Sequence, residues 1–258
     1  MSFELLDFSM GATLLAHVLY GLPGLWSAVL GRAVVTLHNG DDFSIHDDAP
    51  KLDRLRNPRL VTQGGATPVK VLESEGGGVA AHFGGLDGPG WFVVETEPAF
   101  IELEASEFES YLEHEGLRSV VEARREANAL GRTGREIYSK YAKVALDARR
   151  GFVSGAVGFP IEIIPVSDEP CAPGDAMRVR VLLRGHGASG LQLRATHRAS
   201  EDPAPRVAST QVTLAGGEGT IHIDQPGLWR LHTIAIEPHT DPATADWRSH
   251  WASLTFRV

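Results

Sequence analysis

A single cysteine, Cys171, serves a chain of 258 residues. That excludes an internal disulfide and any cluster built from thiolates alone. Cys171 lies in Asp168-Glu169-Pro170-Cys171-Ala172-Pro173-Gly174, which reads as a turn with no base adjacent in sequence to activate the thiol. Basic residues are also scarce: 24 Lys and Arg stand against 33 Asp and Glu, for a formal charge of −9. Nucleic acid and anionic membrane surfaces are poor partners for such a chain, because binding phosphates requires a basic face. Metal cations are compatible with it. No Gly-x-Ser-x-Gly elbow, phosphate-binding loop or dinucleotide glycine pattern occurs, so no catalytic or cofactor-binding residue is assigned. His114-Glu115 opens like a metalloprotease helix motif, but Arg118 occupies the second histidine position, and a solvated helix surface is the expectation there.

One long stretch lacks charge. From Phe8 to Leu30 there is no Asp, Glu, Lys or Arg, a length that would span a bilayer, yet Gly11, Gly21, Pro23 and Gly24 interrupt it as a helix. Met10 to Ala16 fits the end of a signal-peptide apolar region. Only Glu4 and Asp7 carry charge before it, where such a peptide has Lys or Arg. An incomplete or misassigned start and a retained N-terminus both account for this, and beyond the segment no span is expected.

What the chain has in quantity is turns. Gly (28) and Pro (15) make up about a sixth of it, the pattern of many short strands. Val29–Leu37, Val69–Ser74, Val79–Phe83 and Trp91–Glu97 read as strands; Leu52–Leu60 is a basic surface loop or short edge element. At Ser106-Glu107-Phe108-Glu109 a capping box opens a helix, with Phe108, Tyr111, Leu112 and Val121 on its core face and Gly131 and Gly134 ending it. Arg135–Leu146 suits a helix or a long strand. From Pro160 to Val258 about seven strands follow, and Trp251–Val258 alternates as a half-buried strand entered at Trp247.

Eleven histidines raise the question of metal ligation, since imidazole suits Ni, Co, Cu and Zn. His38, Asp41, Asp42, His46, Asp47 and Asp48 lie within eleven residues, although Asp also populates loops for turn formation alone. His222, His232 and His239 surround one hairpin, and alternation turns His222 to solvent. His17 follows Ala16; cleavage there would free an amine beside an imidazole, a chelating pair.

Pro98–Leu117, Arg135–Leu146, Gly158–Pro165 and Asp246–Val258 resemble, in order, the family known as domain of unknown function 4198, grouped with NikM-type nickel and cobalt uptake proteins. Ala16-His17, followed by Tyr20 and Pro23, resembles the family's mature start, from which Val18, Gly21 and Leu22 depart. His250 stands where the family more often has an aromatic residue. The resemblance implies a β-rich, exported or periplasmic protein linked to transition-metal uptake, with metal-transport components as partners. It implies neither an established ligand set nor catalytic residues.

The expected fold is mainly β: two β-sandwich-like units, the C-terminal one immunoglobulin- or transthyretin-like, with a helical insert between them. The segments are 1–16 (signal or apolar), 17–105 (N-terminal β), 106–150 (helical insert and connector) and 151–258 (C-terminal sandwich). The expected function is that of a non-enzymatic envelope accessory or binding protein handling a divalent transition metal (Ni, Co, Cu or Zn), with His17 as the named ligand. An interaction or adhesion module without metal and a histidine-site metalloenzyme are the rival readings.

Overall fold

A computed structural model of the chain describes residues 18–23, 32–40, 43, 49–74, 78–84, 86–199 and 207–258. The segment 1–16, His17, and Asp41, Asp42, His46, Asp47 and Asp48 lie outside the described residues. In chain order the elements are β1 (Val18–Pro23), β2 (Arg32–Gly40), β3 (Leu55–Thr62), β4 (Gly65–Pro68), β5 (Val71–Glu73), β6 (Val79–Gly84), β7 (Trp91–Thr96) and β8 (Ala99–Leu103). Helices α1 (Ala105–His114) and α2 (Arg118–Glu126) follow, then β9 (Gly134–Ala145), β10 (Ile161–Pro165), β11 (Ala176–Leu183), β12 (His186–Gly187) and β13 (Gln192–Arg198). The chain ends with β14 (Val207–Thr213), β15 (Glu218–His222), β16 (Leu228–Pro238) and β17 (Trp247–Arg257). The fold is mainly β, in sandwich-like layers with a helical insert.

A central sheet runs β14-β13-β16-β17-β9-β7-β3-β4, with β8 also pairing β9. It takes strands from both sides of the helical insert. Every pairing in it is antiparallel except that of β17 with β9, where Trp247 lies opposite Glu136 and Thr255 opposite Val144. A smaller sheet, β1-β2-β6-β5, covers one face: Leu19, Val35, Leu37 and Phe83 pack there on Phe92, Ala142 and Val144. A third sheet, β10-β11-β12 with β15, covers the other, where Ile161, Val179 and Ile221 meet Trp91, Leu231, Leu254 and Phe256.

The run Arg135–Leu146, open to two readings from sequence, is therefore a twelve-residue strand, β9, at the centre of the molecule. The basic stretch at 52–60 is a short 3₁₀ turn leading into β3. Helix α1 starts one residue before the expected Ser106. Its cap is Glu104, whose amide donates to the Glu107 carboxylate at 3.3 Å. Phe108, Tyr111 and Leu112 are buried as their spacing requires, and Val121 packs partly against the same cluster. Gly134 is needed for this approach, since a Cβ there would sit 2.2 Å from the Phe108 ring. The last strand begins at Trp247 and is buried on both faces: Thr255 is as inaccessible as Leu254. Sequence alternation implied only half-burial, and the layer on the second face is what changes it.

Between the central and third sheets a charged pair is enclosed. Lys143 Nζ on β9 lies 2.9 Å from Glu162 Oε1 on β10, with both side chains at most 2% exposed. The same carboxylate accepts the amides of Val157 (2.8 and 2.9 Å) and Gly158 (3.2 Å), and the ammonium stands 4.5 Å from the Trp91 ring centroid. Burial pushes the Lys143 ammonium below its ordinary pKa, against the upward pull of Glu162.

Removing one member strands the other charge, so Lys143→Met and Glu162→Leu should each lower stability by about 3–5 kcal/mol. The Glu162 variant should cost more, because it also orphans two amides. The double variant should cost less than the sum of the two, as read from denaturant unfolding. Deleting residues 247–258 removes the strand that joins β16 to β9 and should abolish cooperative unfolding.

Candidate functional site

The face of the central sheet beneath the helices carries a row of polar side chains that strand alternation directs inward. Arg194 on β13 lies opposite His232 on β16, and β17 contributes Ser249 and Trp251 beside Glu136 and Lys140 of β9. Over this row lies α1, placing Tyr111 against Trp251 (ring centroids 5.8 Å apart, planes 8° from parallel). Glu115 caps the C-terminal end of α1, and Gly116, at φ +70°, turns the chain away.

A carboxylate at that position faces the negative end of the helix dipole and needs cations to hold it. They are present. His232 Nε2 lies 3.3 Å from Glu115 Oε2, Arg194 contributes a contact at 3.7 Å, and His114 Nε2 lies 3.8 Å from Oε1. Burial raises the Glu115 pKa, but His232, Arg194 and His114 together outweigh it and hold the carboxyl below its usual value. The other nitrogen of His232, Nδ1, lies 3.1 Å from the Ala252 carbonyl, which fixes its hydrogen there. Nε2 is turned towards the carboxylate. Both Nε2 and Glu115 Oε1 are buried without a hydrogen-bond partner. An approach of 3.3 Å between Nε2 and Oε2 is favourable with a positive charge between them, either the proton of an imidazolium or a metal ion.

Trp251 separates this pair from a second carboxyl. Its ring stacks on His232 (5.5 Å, 27°), while its Nε1 donates to Ser249 Oγ at 2.9 Å, and Ser249 donates in turn to Glu136 Oε1. Glu136 is fully buried. Burial raises its pKa to about 7, against the lowering effect of Ser249, Trp251, Tyr111 and the Lys140 charge. Tyr111, between the two carboxyls, is pushed upward by burial and by both of them, and it stays a neutral phenol.

Of the histidines marked in the sequence, His38 is half-buried, stacked on Tyr20 at 5.5 Å, with Nε2 3.1 Å from Thr36 Oγ1. His222 is exposed as expected, and His239 accepts the Asp241 amide at 3.1 Å. These do not converge with His232, which is 1% exposed. Cys171 is buried, its thiol pushed up to about 11 by burial and Asp175. Among the described residues no three His, Cys, Asp or Glu side chains converge to hold a metal ion by themselves. Glu115, expected on a solvated helix surface, is buried. The signal in the sequence was its position: an acidic residue directly before the glycine that ends a helix.

The family described as domain of unknown function (DUF4198) matches residues 16–237, a span containing Glu115, Glu136, Arg194 and His232. The chain belongs to this family. No functionally curated protein matches. Among solved structures, the DUF4198 chain is similar at 10% identity to native alpha-2-macroglobulin from Escherichia coli, in a structure spanning domains MG0-NIE-MG1. That likeness covers 90% of this chain and 71% of the other, at a TM-score of 0.21.

Glu136 sets a pH signature. Its folded pKa of about 7 exceeds the ordinary 4.5, so the folded protein keeps a proton that the unfolded chain loses. The resulting stabilisation is complete below pH 4.5 and is lost as pH rises through about 7, roughly 3 kcal/mol in all. Glu136→Gln should keep the Ser249 contact and remove this slope. Denaturant midpoints of wild type and variant, compared from pH 4.5 to 8, should diverge accordingly.

Proposed function

We propose that this protein is a non-enzymatic accessory protein of the cell envelope that binds a divalent transition-metal ion of the nickel and cobalt type, with Glu115, His232 and His17 as ligands. The observation that carries this reading is the buried pair of His232 Nε2 and Glu115 Oε2, 3.3 Å apart, with His232 Nδ1 turned to the Ala252 carbonyl. A neutral imidazole whose other nitrogen is tied to a carbonyl is the usual form of a metal-bound histidine.

A third ligand must come from outside the described residues. Val18 packs in the cluster that contains Trp251, and the Leu19 carbonyl accepts Ser253 Oγ at 2.6 Å, with Ser253 directly opposite His232 in register. In the sequence His17 directly precedes Val18. A metal held here would gain charge balance from Glu115, while Arg194 and His114 would keep that carboxylate ionised. Nickel, cobalt, transport and the cell envelope enter through the resemblance of the N-terminal and helical stretches to NikM-type proteins.

Calorimetric titration of the full chain with Ni, Co, Cu and Zn salts tests the proposal. Stoichiometric binding is expected, weakened tenfold or more (about 1.4 kcal/mol) by His17→Ala with stability unchanged. Glu115→Gln should weaken binding at least as much. Equal affinity in wild type and His17→Ala would overturn the ligand set. Failure of all four ions to bind would leave Glu115–His232 as an internal ion pair and favour the interaction-module reading.

A further inference from the structure

On the opposite face of β17 the alternating residues Phe256, Leu254 and Ala252 belong to the core beneath the third sheet. Towards the start of the strand the same face continues as His250 and Arg248. There the two sheets part, leaving a cleft of about 520 Å³ whose lining includes Phe159, Leu182, Arg184, Glu237, Arg248 and His250. That volume suits a small organic molecule.

The charges of the cleft do not balance. Arg184 at its mouth is ion-paired with Glu237, and Glu237 lies directly opposite Arg248 across β16 and β17. Glu162, which also borders the cleft, is already engaged by Lys143 and the amides of Val157 and Gly158. Two guanidinium groups thus share one available carboxylate. Arg248 is half-buried, makes no ion pair among the described residues, and its Nε is buried without a hydrogen-bond partner. One positive charge in excess here contrasts with the −9 of the whole chain. A half-buried guanidinium with an unmade bond is stabilised by a carboxylate, whose two oxygens match its fork.

His250 adds a second donor. Its Nδ1 lies 3.2 Å from the Tyr141 hydroxyl. Burial keeps that phenol protonated, and burial together with Arg248 keeps the imidazole neutral. With the phenol donating to Nδ1, the ring's hydrogen stands on Nε2. Arg184 also occupies an unusual backbone position. It stands at φ +50° in the two-residue turn Arg184-Gly185 between β11 and β12, where Asn, Asp or Gly is the ordinary choice.

We propose that this cleft binds a small organic carboxylate, its head on Arg248 and the Nε2–H of His250 and its apolar body on Phe159 and Leu182. The Arg184–Glu237 pair at the mouth holds Glu237 away from Arg248 and so keeps the site open to an anion. The site is separate from the Glu115–His232 pair and does not rest on metal binding.

The test is titration of the isotope-labelled full chain at pH 7 with benzoate, hexanoate and inorganic phosphate, following amide shifts at 158–159, 182–185 and 248–250. Both organic acids should give saturable shifts at these positions, with phosphate at least tenfold weaker. Arg248→Gln should weaken binding tenfold or more with an unchanged melting temperature, and Arg248→Lys should restore only part of it. Should Arg248→Gln fail to fold, Arg184→Gln provides the second arm: it frees Glu237 to neutralise Arg248, so carboxylate binding should fall as well. Phosphate binding as tightly as the organic acids would overturn the assignment, as would carboxylate binding that survives both variants or the lack of any saturable shift.

Discussion

The parallel pairing of β9 with β17 governs what the rest of the molecule can do. It joins a strand from the middle of the chain to the last strand, inside a nine-stranded sheet, and both strands are covered on each face. A strand in that position has no solvated side on which to leave polar residues, so each one it carries must be satisfied internally. β9 contributes Glu136, Lys140 and Lys143; β17 contributes Arg248, Ser249, His250 and Ser253. The Lys143–Glu162 pair, the Glu136 site and the inter-sheet cleft each include one of these residues. Such a concentration of charge in the central strands is costly for stability alone.

The sequence disclosed the outline of this arrangement and concealed its centre. Most strands after residue 160, the core face of α1 and the entry of the last strand at Trp247 were legible, because alternation and helical spacing are local signals, while strands such as β4 and β8 were not. Three readings went astray for one physical reason. Glu115 was expected on a solvated helix, Thr255 on the exposed side of a half-buried strand, and His232 was grouped with the solvent-facing His222 around one hairpin. In each case local polarity was equated with exposure, whereas a further layer, contributed by distant segments, lies over that face. Burial from a third layer depends on topology, and single-strand patterning does not carry it. The ambiguity at 135–146 has the same origin: a strand buried on both sides loses the alternation that would identify it.

Three buried carboxyls illustrate how much their surroundings decide. Glu162 is held by a lysine and backbone amides, and its position ties β10 to β9. Glu115, at a helix end that disfavours it, stays ionised because two histidines and an arginine surround it. Glu136 has neutral donors and the charge of Lys140 to set against burial, so burial prevails and its pKa rises to about 7. All three are nearly inaccessible, which leaves the number and distance of cations as the variable that separates them.

The opposed faces of β17 make register a functional constraint as well as a structural one. Ser249 and Trp251 point towards the Glu115–His232 side, and Arg248 and His250 towards the inter-sheet cleft. A slip of one residue would exchange the two sets, placing the guanidinium under the helices and the indole in the cleft. The strand is fastened at both ends against this. At its start, the Arg135 amide donates to Asp246 Oδ2 at 3.1 Å, the Arg135 guanidinium to Oδ1 at 2.8 Å, and the Asp246 amide returns a bond to the Arg135 carbonyl at 2.9 Å. At its end, Gly227 and Val258 exchange a pair of backbone bonds at 3.0 Å. Burial raises the Asp246 carboxyl, yet the Arg135 bonds hold it below its usual pKa, so the clamp stays charged in the neutral range. Because the clamp joins β17 to the first residues of β9, the same contacts that fix the register also fix the parallel pairing on which both faces depend.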